Sequence, residues 1–319
     1  MESASLSLQA HSRWKHLETV FWLFALLSPW LLAKHALIIN EIVIVALFAL
    51  SLDLILGYTG IVSLGHAAFF GFGAYSAALF AIHVMPDPLL GLLFGAGISL
   101  LLGALCSVLI LRGSDLTRLM VTLAVALILK ELSNKLSWLT GGTDGLQGVM
   151  MGPVLGKFDF DIRGITAAWY SLAVTFLLFL LIRRLVHSPF GATLTAIRDN
   201  RLRAMAIGIP VSTRIAVIYS ISAAIAGAAG ALLAQTSSFA SPDVFAFDRS
   251  ADILLILVIG GTGWLYGGII GAIVFKLLQD VISSITPEYW TFWIGAFLIA
   301  LVIVGRERFL YPWKWFAKR

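Results

Sequence analysis

The chain has 319 residues, of which 60% are hydrophobic and only 12% are charged. Soluble domains carry about 25% charged residues, so this composition excludes a soluble globular protein. The net charge of +5 does not indicate a nucleic-acid partner, because cytoplasmic loops of membrane proteins collect Lys and Arg. The apolar runs are long and lack the short alternation of a β-barrel, so they predict an all-α, polytopic transmembrane bundle.

Ten apolar spans are predicted along the chain. They are 17–33, 36–56, 66–84, 89–111, 119–139, 165–182, 215–237, 251–262, 268–284 and 289–305. A cleaved signal peptide over Thr19–Ala33 is an alternative for the first run, which is better interpreted as a span. Span 251–262 is too short to cross alone, and it counts as a crossing because 251–305 must reverse direction three times. The bundle therefore has an even number of crossings, about 8–10, including discontinuous helices.

The distribution of basic residues predicts the orientation. Fifteen of the 22 Lys and Arg residues fall on one proposed side, four on the other and three within spans. The positive-inside rule then places both termini and segment 183–214 in the cytoplasm. The predicted organisation is a cytoplasmic segment 1–16, a transmembrane domain 17–305 that includes the cytoplasmic segment 183–214, and a basic cytoplasmic tail 306–319.

The second and third spans are joined by a glycine-rich block, Gly57–Tyr75, with the sequence GYTGIVSLGHAAFFGFGAY. Gly65, Ala68 and Phe72 lie roughly along one helix face. One interpretation is close helix packing, because small residues let helices approach in lipid. The other is a discontinuous helix whose freed backbone groups line a pathway.

Three further glycine-rich or small-residue blocks follow. Ala223–Ala231 has the pattern of a helix-packing face. Gly260–Gly268 interrupts two short apolar halves and predicts a tight reversal. Gly141–Gly145 opens a polar outer loop.

Charged residues inside spans need partners, because each costs about 2.5–3.5 kcal/mol on insertion scales. Spacing i, i+4 predicts two ion pairs, Lys276 with Asp280 and Glu131 with Lys135. Asp53 and Glu41 have no partner nearby in the sequence. They are weak candidates for a proton relay, because one carboxylate near each interface leaves the midplane empty.

No motif for catalysis or nucleotide binding is present. The sequence lacks a Gly-x-x-x-x-Gly-Lys-[Ser/Thr] phosphate loop, a nucleophile elbow, a zinc-binding helix and a Cys–His pair. The six His residues show no i, i+4 metal pair, and the single cysteine, Cys106, is expected to pack in an apolar run. We therefore expect no catalytic residue, no metal and no cofactor, and the chain is not visibly an enzyme.

The longest predicted cytoplasmic connection gathers three arginines within six residues, Arg198, Arg201 and Arg203. Ser188 with Pro189 can begin a helix here, and Gly208 with Pro210 can end it.

Wound as one helix, 192–206 carries four apolar residues on an arc of about 140°. These residues are Leu194, Ile197, Leu202 and Met205. Arg198 and Arg201 fall within the same arc, and such a mixed face is typical of a helix that docks into a partner's groove. The alternative is a positive-inside loop that happens to be helical, and spacing alone does not separate the two.

The order of these blocks resembles a known family. Gly57–Tyr75 is similar to the "GYTGQ-SLGHAAFFG-GAY" block of branched-chain amino acid ABC permeases of the LivM-like kind. Later blocks follow in similar order and spacing: Leu111–Gly113 with Val121–Leu123, Gly141–Gly145, Gly191 with Ala196–Asn200, Ala206–Gly208, Ser222–Gly230, Ser241–Pro242 and Gly260–Ala272. The resemblance covers about residues 40–300, and residues 1–35 show none. The chain departs from the family pattern at four positions, Asp53 (usually Asn), Ile61 (usually Gln), Arg201 (often acidic) and Gly268 (often Pro).

The resemblance implies a permease subunit of an ABC importer in the inner (plasma) membrane. The implied partners are a second, LivH-like permease subunit, two cytoplasmic ATPase subunits, an external solute-binding protein and the lipid bilayer, with no nucleic acid. Branched-chain or other hydrophobic amino acids are the expected solutes, and similar permeases move urea, short amides or aromatic acids. An ion-coupled secondary transporter that uses Asp53 or Glu41, or a channel, is the alternative from another class.

The resemblance also implies roles for individual residues. The 190–210 segment is expected to be the coupling helix, and its ATPase contacts would be Arg198, Asp199, Asn200, Arg201, Arg203 and Gly208. ATPase closure would move this helix and rock the attached spans 165–182 and 215–237. The family's common EAA signature is absent as such, so this assignment rests on position and Gly208.

Two further sets of residues are expected to meet the solute and its delivery protein. The candidate translocation pathway comprises Gly57, Tyr58, Thr59, Gly60, Ser63, Gly65, His66, Gly71 and Gly73. The candidate contact with the binding protein is the outer loop of Gly141, Gly142, Thr143, Asp144 and Gly145.

Overall fold

The computed structural model describes residues 16–111, 113 and 115–304, and these residues form thirteen α-helices. In chain order the helices are α1 His16–Leu31, α2 Ala36–Thr59, α3 Ala67–His83, α4 Pro88–Leu111, α5 Asp115–Lys135, α6 Ser137–Thr140, α7 Ile165–Val186, α8 Pro189–Asp199, α9 Arg201–Ala206, α10 Val211–Ser237, α11 Phe247–Gly260, α12 Leu265–Ile285 and α13 Trp290–Val304. Short 3-10 helices occur at Ala33–His35, Gly142–Asp144 and Pro242–Phe245. Most of the predicted N-terminal segment and all of the predicted tail 306–319 lie outside the described residues.

The all-α bundle predicted from hydropathy is confirmed. Nine of the ten predicted spans each coincide with one α-helix, whereas span 119–139 covers α5 and the short α6, which Leu136 separates. The described residues form no strand, only two isolated β-bridges. Among the described residues, five helices are long and apolar enough to cross a membrane: Ala33–Thr59, Pro88–Leu111, Ile165–Val186, Val211–Ser237 and Leu265–Ile285. Glu18–Leu31 and Ala67–His83 are shorter apolar helices.

Helices α2 and α10 form the centre of the bundle. Helix α10 packs most extensively against α4, α3 and α2, while α2 also packs against α12 and α7. Leu47, Leu50 and Ile55 of α2 and Ile218 and Tyr219 of α10 are all fully buried. Both sequences are apolar on every side, which is the pattern of a helix enclosed by other helices.

Glycines allow α3, α4 and α10 to meet with their backbones in contact. A Cβ atom added to Gly73 of α3 would collide with the backbone of Gly227 in α10, and one added to Gly230 would collide with the Phe70 carbonyl oxygen. A Cβ on Gly95 of α4 would lie 2.8 Å from the Gly73 carbonyl oxygen. The predicted packing face at 223–231 is therefore confirmed, since dispersion contacts between close backbones hold helices together in lipid.

The predicted reversal at 260–268 is also confirmed, because it joins α11 and α12 into a tight antiparallel hairpin. A Cβ atom on Gly260 would collide with the Gly267 carbonyl, and one on Gly271 would collide with the Ile256 carbonyl. Helix α11 has 14 residues. At 1.5 Å per residue it is about 21 Å long, shorter than a ~30 Å hydrocarbon core.

Helix α1 is attached to α7 by an ion pair and an aromatic cluster. The Glu18 carboxylate accepts a hydrogen bond from Arg183, and both side chains are largely shielded from solvent. The buried Trp22 ring packs between Phe176 and Phe179, with ring centroids 4.8 and 4.9 Å away. The first predicted span is therefore integrated into the bundle.

One predicted ion pair is present and the other is replaced. Glu131 and Lys135 lie 3.8 Å apart, as the i, i+4 spacing predicts. The predicted pairing of Lys276 with Asp280 is wrong, because the Lys276 ammonium instead lies 3.1 Å from Glu41 of α2. A partner on a neighbouring helix is available to Lys276, and sequence spacing cannot reveal it.

Replacing Gly73 with Ala should destabilise the bundle, because the new methyl group must displace the α10 backbone. We expect a loss of about 1–3 kcal/mol, the usual effect of overpacking. Gly97→Ala in α4 is the matched control, since a Cβ there meets nothing within 4 Å. Thermal unfolding of the purified protein in detergent measures both variants. Equal unfolding temperatures for the two would contradict the close α3–α10 contact.

Candidate coupling segment and pathway block

The arginine-bearing segment forms two helices, so the predicted single helix 192–206 is wrong. It begins as predicted, because Ser188 Oγ accepts a hydrogen bond of 3.4 Å from Gly191 N and Pro189 occupies the first turn. Asn200 then adopts an extended conformation, with φ −160° and ψ 103°. Its side-chain oxygen accepts a hydrogen bond of 2.9 Å from Arg203 N and caps α9. Asn favours such caps over helix interiors, because its side chain competes for backbone groups.

The break at Asn200 divides the predicted apolar arc. Leu194 and Ile197 of α8 are buried in the bundle. Leu202 and Met205 of α9, by contrast, are 75% and 46% exposed. A 100° step per residue no longer relates the two helices, so the four residues do not share one face. The outcome is a buried anchor, α8, followed by an exposed apolar tip, α9.

Arg198, at the end of α8, keeps a partly exposed side chain whose guanidinium caps α2. Its Nη1 donates a hydrogen bond of 2.6 Å to the carbonyl oxygen of Gly57, in the last turn of α2. Gly60 ends α2 in the left-handed conformation, with φ 73°, and Ile61 N donates to the Ile55 carbonyl oxygen. The Gly57 carbonyl therefore has no helical N–H partner, and a cation is favoured at this negative end of the helix dipole.

The α11–α12 reversal reaches the same point. Gly263 N donates a hydrogen bond of 2.8 Å to Asp53 Oδ1, one turn above Gly57. A Cβ atom on Gly57 would collide with both Asp53 Oδ1 and Gly263 N, and a Cβ on Gly263 would lie 3.2 Å from Arg198 Nη1. Three segments that are distant in sequence thus converge at Asp53, Gly57, Arg198 and Gly263, which we call the inner node.

A second arginine caps α4 beside the inner node. Arg118 Nε donates a hydrogen bond of 3.0 Å to the Ile110 carbonyl oxygen, and its Nη1 lies 2.7 Å from Asp115 Oδ1. A cleft of about 650 Å³ separates the two capped helix ends. It is lined by Thr59, Gly60, Ile61, Gly113, Asp115, Arg118, Ile197, Arg198, Asp199, Asn200, Arg201, Leu202 and Ile215. Helices α8 and α9, which we call the coupling segment, therefore form one wall of a polar cleft.

The pathway block is discontinuous, as predicted, because residues 60–66 form no regular helix between α2 and α3. Leu64 N donates a hydrogen bond of 3.3 Å to Thr122 Oγ1, and Ala67 N donates one of 2.9 Å to Ser250 Oγ. Irregular backbone at membrane depth is tolerated where protein groups satisfy it. A Cβ on Gly65 would collide with the Thr122 carbonyl, so the block shows close packing as well.

His66 immediately precedes α3 as its N-cap residue and is completely buried. Its Nε2 lies 3.0 Å from Ser51 Oγ and 3.3 Å from Ser222 Oγ. Ser51 Oγ donates to the Phe48 carbonyl and Ser222 Oγ donates to the Ser51 carbonyl, so both hydroxyl protons are already engaged. The hydrogen-bond network therefore assigns the Nε2–H tautomer, in which His66 is the donor.

All predicted pathway residues except Gly60 are buried within this chain. Their role in translocation stays a prediction. In the predicted outer loop, Thr143 and Asp144 are exposed, and a bridge between Leu146 and Ala240 holds the loop against the segment after α10. Contact with a binding protein also stays a prediction.

Sequence reasoning missed the two arginine caps. Arg118 follows the α4 end by a short turn, so a basic residue soon after a predicted helix end was an available signal. The Arg198–Gly57 contact joins residues 141 positions apart, and no local pattern indicates it.

Comparison with known proteins shows one family. The family described as "Branched-chain amino acid transport system / permease component" matches residues 36–302. A Salmonella typhimurium protein named high-affinity branched-chain amino acid transport system permease protein LivM is 28% identical over 292 residues, 83% of this chain and 67% of that protein. The Escherichia coli protein of the same name has the same identity and coverage.

A Bifidobacterium longum protein named fructose import permease protein FruG is 27% identical over 127 residues, 38% of this chain and 37% of that protein. No solved structure matches the chain.

Replacing Ser250 with Ala should destabilise the discontinuous block, because it leaves the buried Ala67 N–H without its hydroxyl acceptor. We expect a loss of about 1–3 kcal/mol, the effect of an unsatisfied buried donor. Ser212→Ala is the control, since Ser212 is exposed at the start of α10. Thermal unfolding in detergent compares the two, and an unchanged Ser250→Ala protein would argue against this contact.

Proposed function

The chain belongs to the family of branched-chain amino acid transport system permease components, and we propose that it is the permease subunit of an ATP-driven importer. Its proposed partners are a second, related permease subunit, two cytoplasmic ATPase subunits and an external solute-binding protein. The proposed arrangement is that of a multi-pass inner-membrane protein with both termini and segment 183–214 in the cytoplasm. The positive-inside bias of its loops supports this orientation.

The observation that carries this proposal is the exposed tip of the coupling segment. Helix α9 and the residue after it expose Leu202 and Ile207 by 75% and 70%, beside the exposed Arg203. The preceding helix α8 is anchored in the bundle by Leu194 and Ile197. An apolar and basic tip on a rigid support is suited to docking into a groove of a partner protein.

The proposed solutes are branched-chain or other hydrophobic amino acids. Two relatives named for branched-chain amino acid transport match 83% of the chain, whereas the relative named for fructose import matches 38%. Urea, short amides or aromatic acids are the alternative solutes within the same function. Uptake of a panel of these compounds by the reconstituted importer distinguishes them.

An ion-coupled secondary transporter is less well supported. Glu41 is paired with Lys276, and Asp53 Oδ1 accepts the Gly263 N–H, while Asp53 Oδ2 is buried without a hydrogen-bond partner among the described residues. Solute uptake by the single purified chain in vesicles, driven by an ion gradient without ATP, would favour this alternative.

Replacing Leu202 and Arg203 together with Glu should abolish productive docking of the ATPase. The two substitutions remove an exposed apolar contact and reverse an exposed charge, while the buried anchor of α8 is untouched. We expect ATP-dependent uptake to fall by about tenfold or more, because charged groups at a docking surface commonly cost several kcal/mol when mismatched. Uptake by proteoliposomes that contain all cognate subunits measures this.

Arg184→Glu is the matched control, because Arg184 is exposed near the inner end of α7, outside α8 and α9. Thermal unfolding of each variant tests that the bundle is intact. Normal uptake by the Leu202→Glu, Arg203→Glu double variant would remove the docking proposal.

A further inference from the structure

The coupling segment is connected by the chain to only two spans. Helix α7 leads into α8, and α9 leads into α10. The pathway block lies between α2 and α3, neither of which is adjacent to the segment in sequence. Motion of the segment therefore needs a non-covalent contact if it is to reach the pathway block directly.

The inner node provides such a contact at the point where the segment bends. Arg198 precedes the break at Asn200 by two residues and holds the Gly57 carbonyl at 2.6 Å. Its Nη2 also lies 3.4 Å from Asp199 Oδ1, and a Cβ atom on Gly263, whose N–H donates to Asp53, would lie 3.2 Å from its Nη1. The arginine side chain is 41% exposed, and its charge-assisted hydrogen bond to the Gly57 carbonyl is among the stronger kinds of polar contact that a protein forms.

We propose that Arg198 is a positioning residue that fastens the coupling segment to the inner end of α2 and to the α11–α12 reversal. This proposal rests on the proposed function. It assigns Arg198 to the transmission of motion within the chain, whereas the exposed tip of α9 contacts the ATPase. The bond stays closed while the segment moves, so α2 and the start of the pathway block at Gly60 follow it.

The geometry around Gly60 supports a firm connection. A Cβ atom on Gly60 would lie 3.2 Å from Arg198 Cγ and 4.0 Å from Arg198 Cβ. The arginine stem therefore packs across the α2 cap as well as bonding to its carbonyl. Both contacts would have to break for α8 to move independently of α2.

The first experiment compares Arg198→Ala with Arg184→Ala in the importer reconstituted with all its subunits. Arg198→Ala should still bind the ATPase but lower solute uptake per ATP hydrolysed by roughly tenfold, the effect of losing one charge-assisted hydrogen bond. Arg184→Ala, an exposed position outside α8 and α9, should leave both ATPase binding and uptake per ATP unchanged. Wild-type uptake per ATP in Arg198→Ala would overturn the proposal.

Amide hydrogen exchange of the purified chain provides a readout that needs no partner. Arg198→Ala should speed exchange at residues 60–63 by roughly tenfold, because the α2 cap opens more often. Arg203→Ala should leave it unchanged. Equal exchange in the two variants would contradict the connection between Arg198 and α2.

Asp53 tests the node from the side opposite the coupling segment. Asp53→Ala should lower uptake per ATP as Arg198→Ala does, and the double variant should be no worse than either, because groups that act as a unit are non-additive. Asp53→Asn keeps an oxygen acceptor for Gly263 N and should couple normally. Normal coupling in Asp53→Ala, together with lost ATPase binding in Arg198→Ala, would instead make Arg198 a partner contact and overturn the proposal.

A reversible cross-link gives the sharpest test. In a Cys106→Ser background, Gly60→Cys with Arg198→Cys places two Cβ atoms 4.0 Å apart, within disulfide range. Gly60→Cys alone is the control for the strain of a side chain at φ 73°. The reduced protein should be uncoupled, and the oxidised protein should regain coupling because the disulfide replaces the arginine contact. Formation of the disulfide without recovery would overturn the proposal. The docking proposal fails separately, if the Leu202→Glu, Arg203→Glu variant transports normally.

Discussion

The ends of α2 and α4 beside the polar cleft depend on hydrogen bonds to carbonyl groups that the helices themselves cannot satisfy. An α-helix leaves its last four carbonyls without intrahelical donors. Here Arg198 satisfies the Gly57 carbonyl of α2 and Arg118 satisfies the Ile110 carbonyl of α4. Two basic residues that a positive-inside count treats as loop charges are thus structural donors at helix ends. They also define the walls of the inner cleft.

Close backbone contact is the second constraint, and it explains why the chain combines glycine with buried hydroxyl groups. The discontinuous stretch before α3 leaves N–H groups free inside the bundle, and Thr122 and Ser250 accept from two of them. Thr122 can approach this backbone closely because Gly65 carries no side chain, whose Cβ atom would collide with the Thr122 carbonyl. Close helix packing and the interruption of the helix before α3 are therefore two aspects of the same arrangement. The same contacts that hold α3 in place also leave a short segment without helical hydrogen bonds, which is where a helix can rearrange at least cost.

The proposed coupling segment joins these features to the side of the bundle that we propose is cytoplasmic. Its first helix is part of the core, its second is exposed, and Asn200 separates them. Because of this division, neighbouring residues of the segment have different proposed roles. Arg198 serves the chain's own α2, while Leu202 and Arg203 remain available to a partner. In the proposed mechanism, movement of the tip is transmitted to α2, a helix that is not adjacent to the segment in the sequence.

Much of this molecule follows from the sequence, because membrane insertion depends on local composition. Runs of apolar residues marked the longer helices, Ser188 and Gly208 marked the ends of the coupling segment, and the block at Ala223–Ala231 marked a packing face. The order of glycine blocks indicated the family. Local patterns could not reveal contacts between residues far apart in the chain, and these decide the inner node. Lys276 pairs with Glu41 and not with its i+4 neighbour, and Arg198 donates to the Gly57 carbonyl. Asn200 interrupts a helix that the apolar periodicity predicted to be continuous. In each case the deciding partner is a backbone or side-chain group that only folding brings within hydrogen-bond distance.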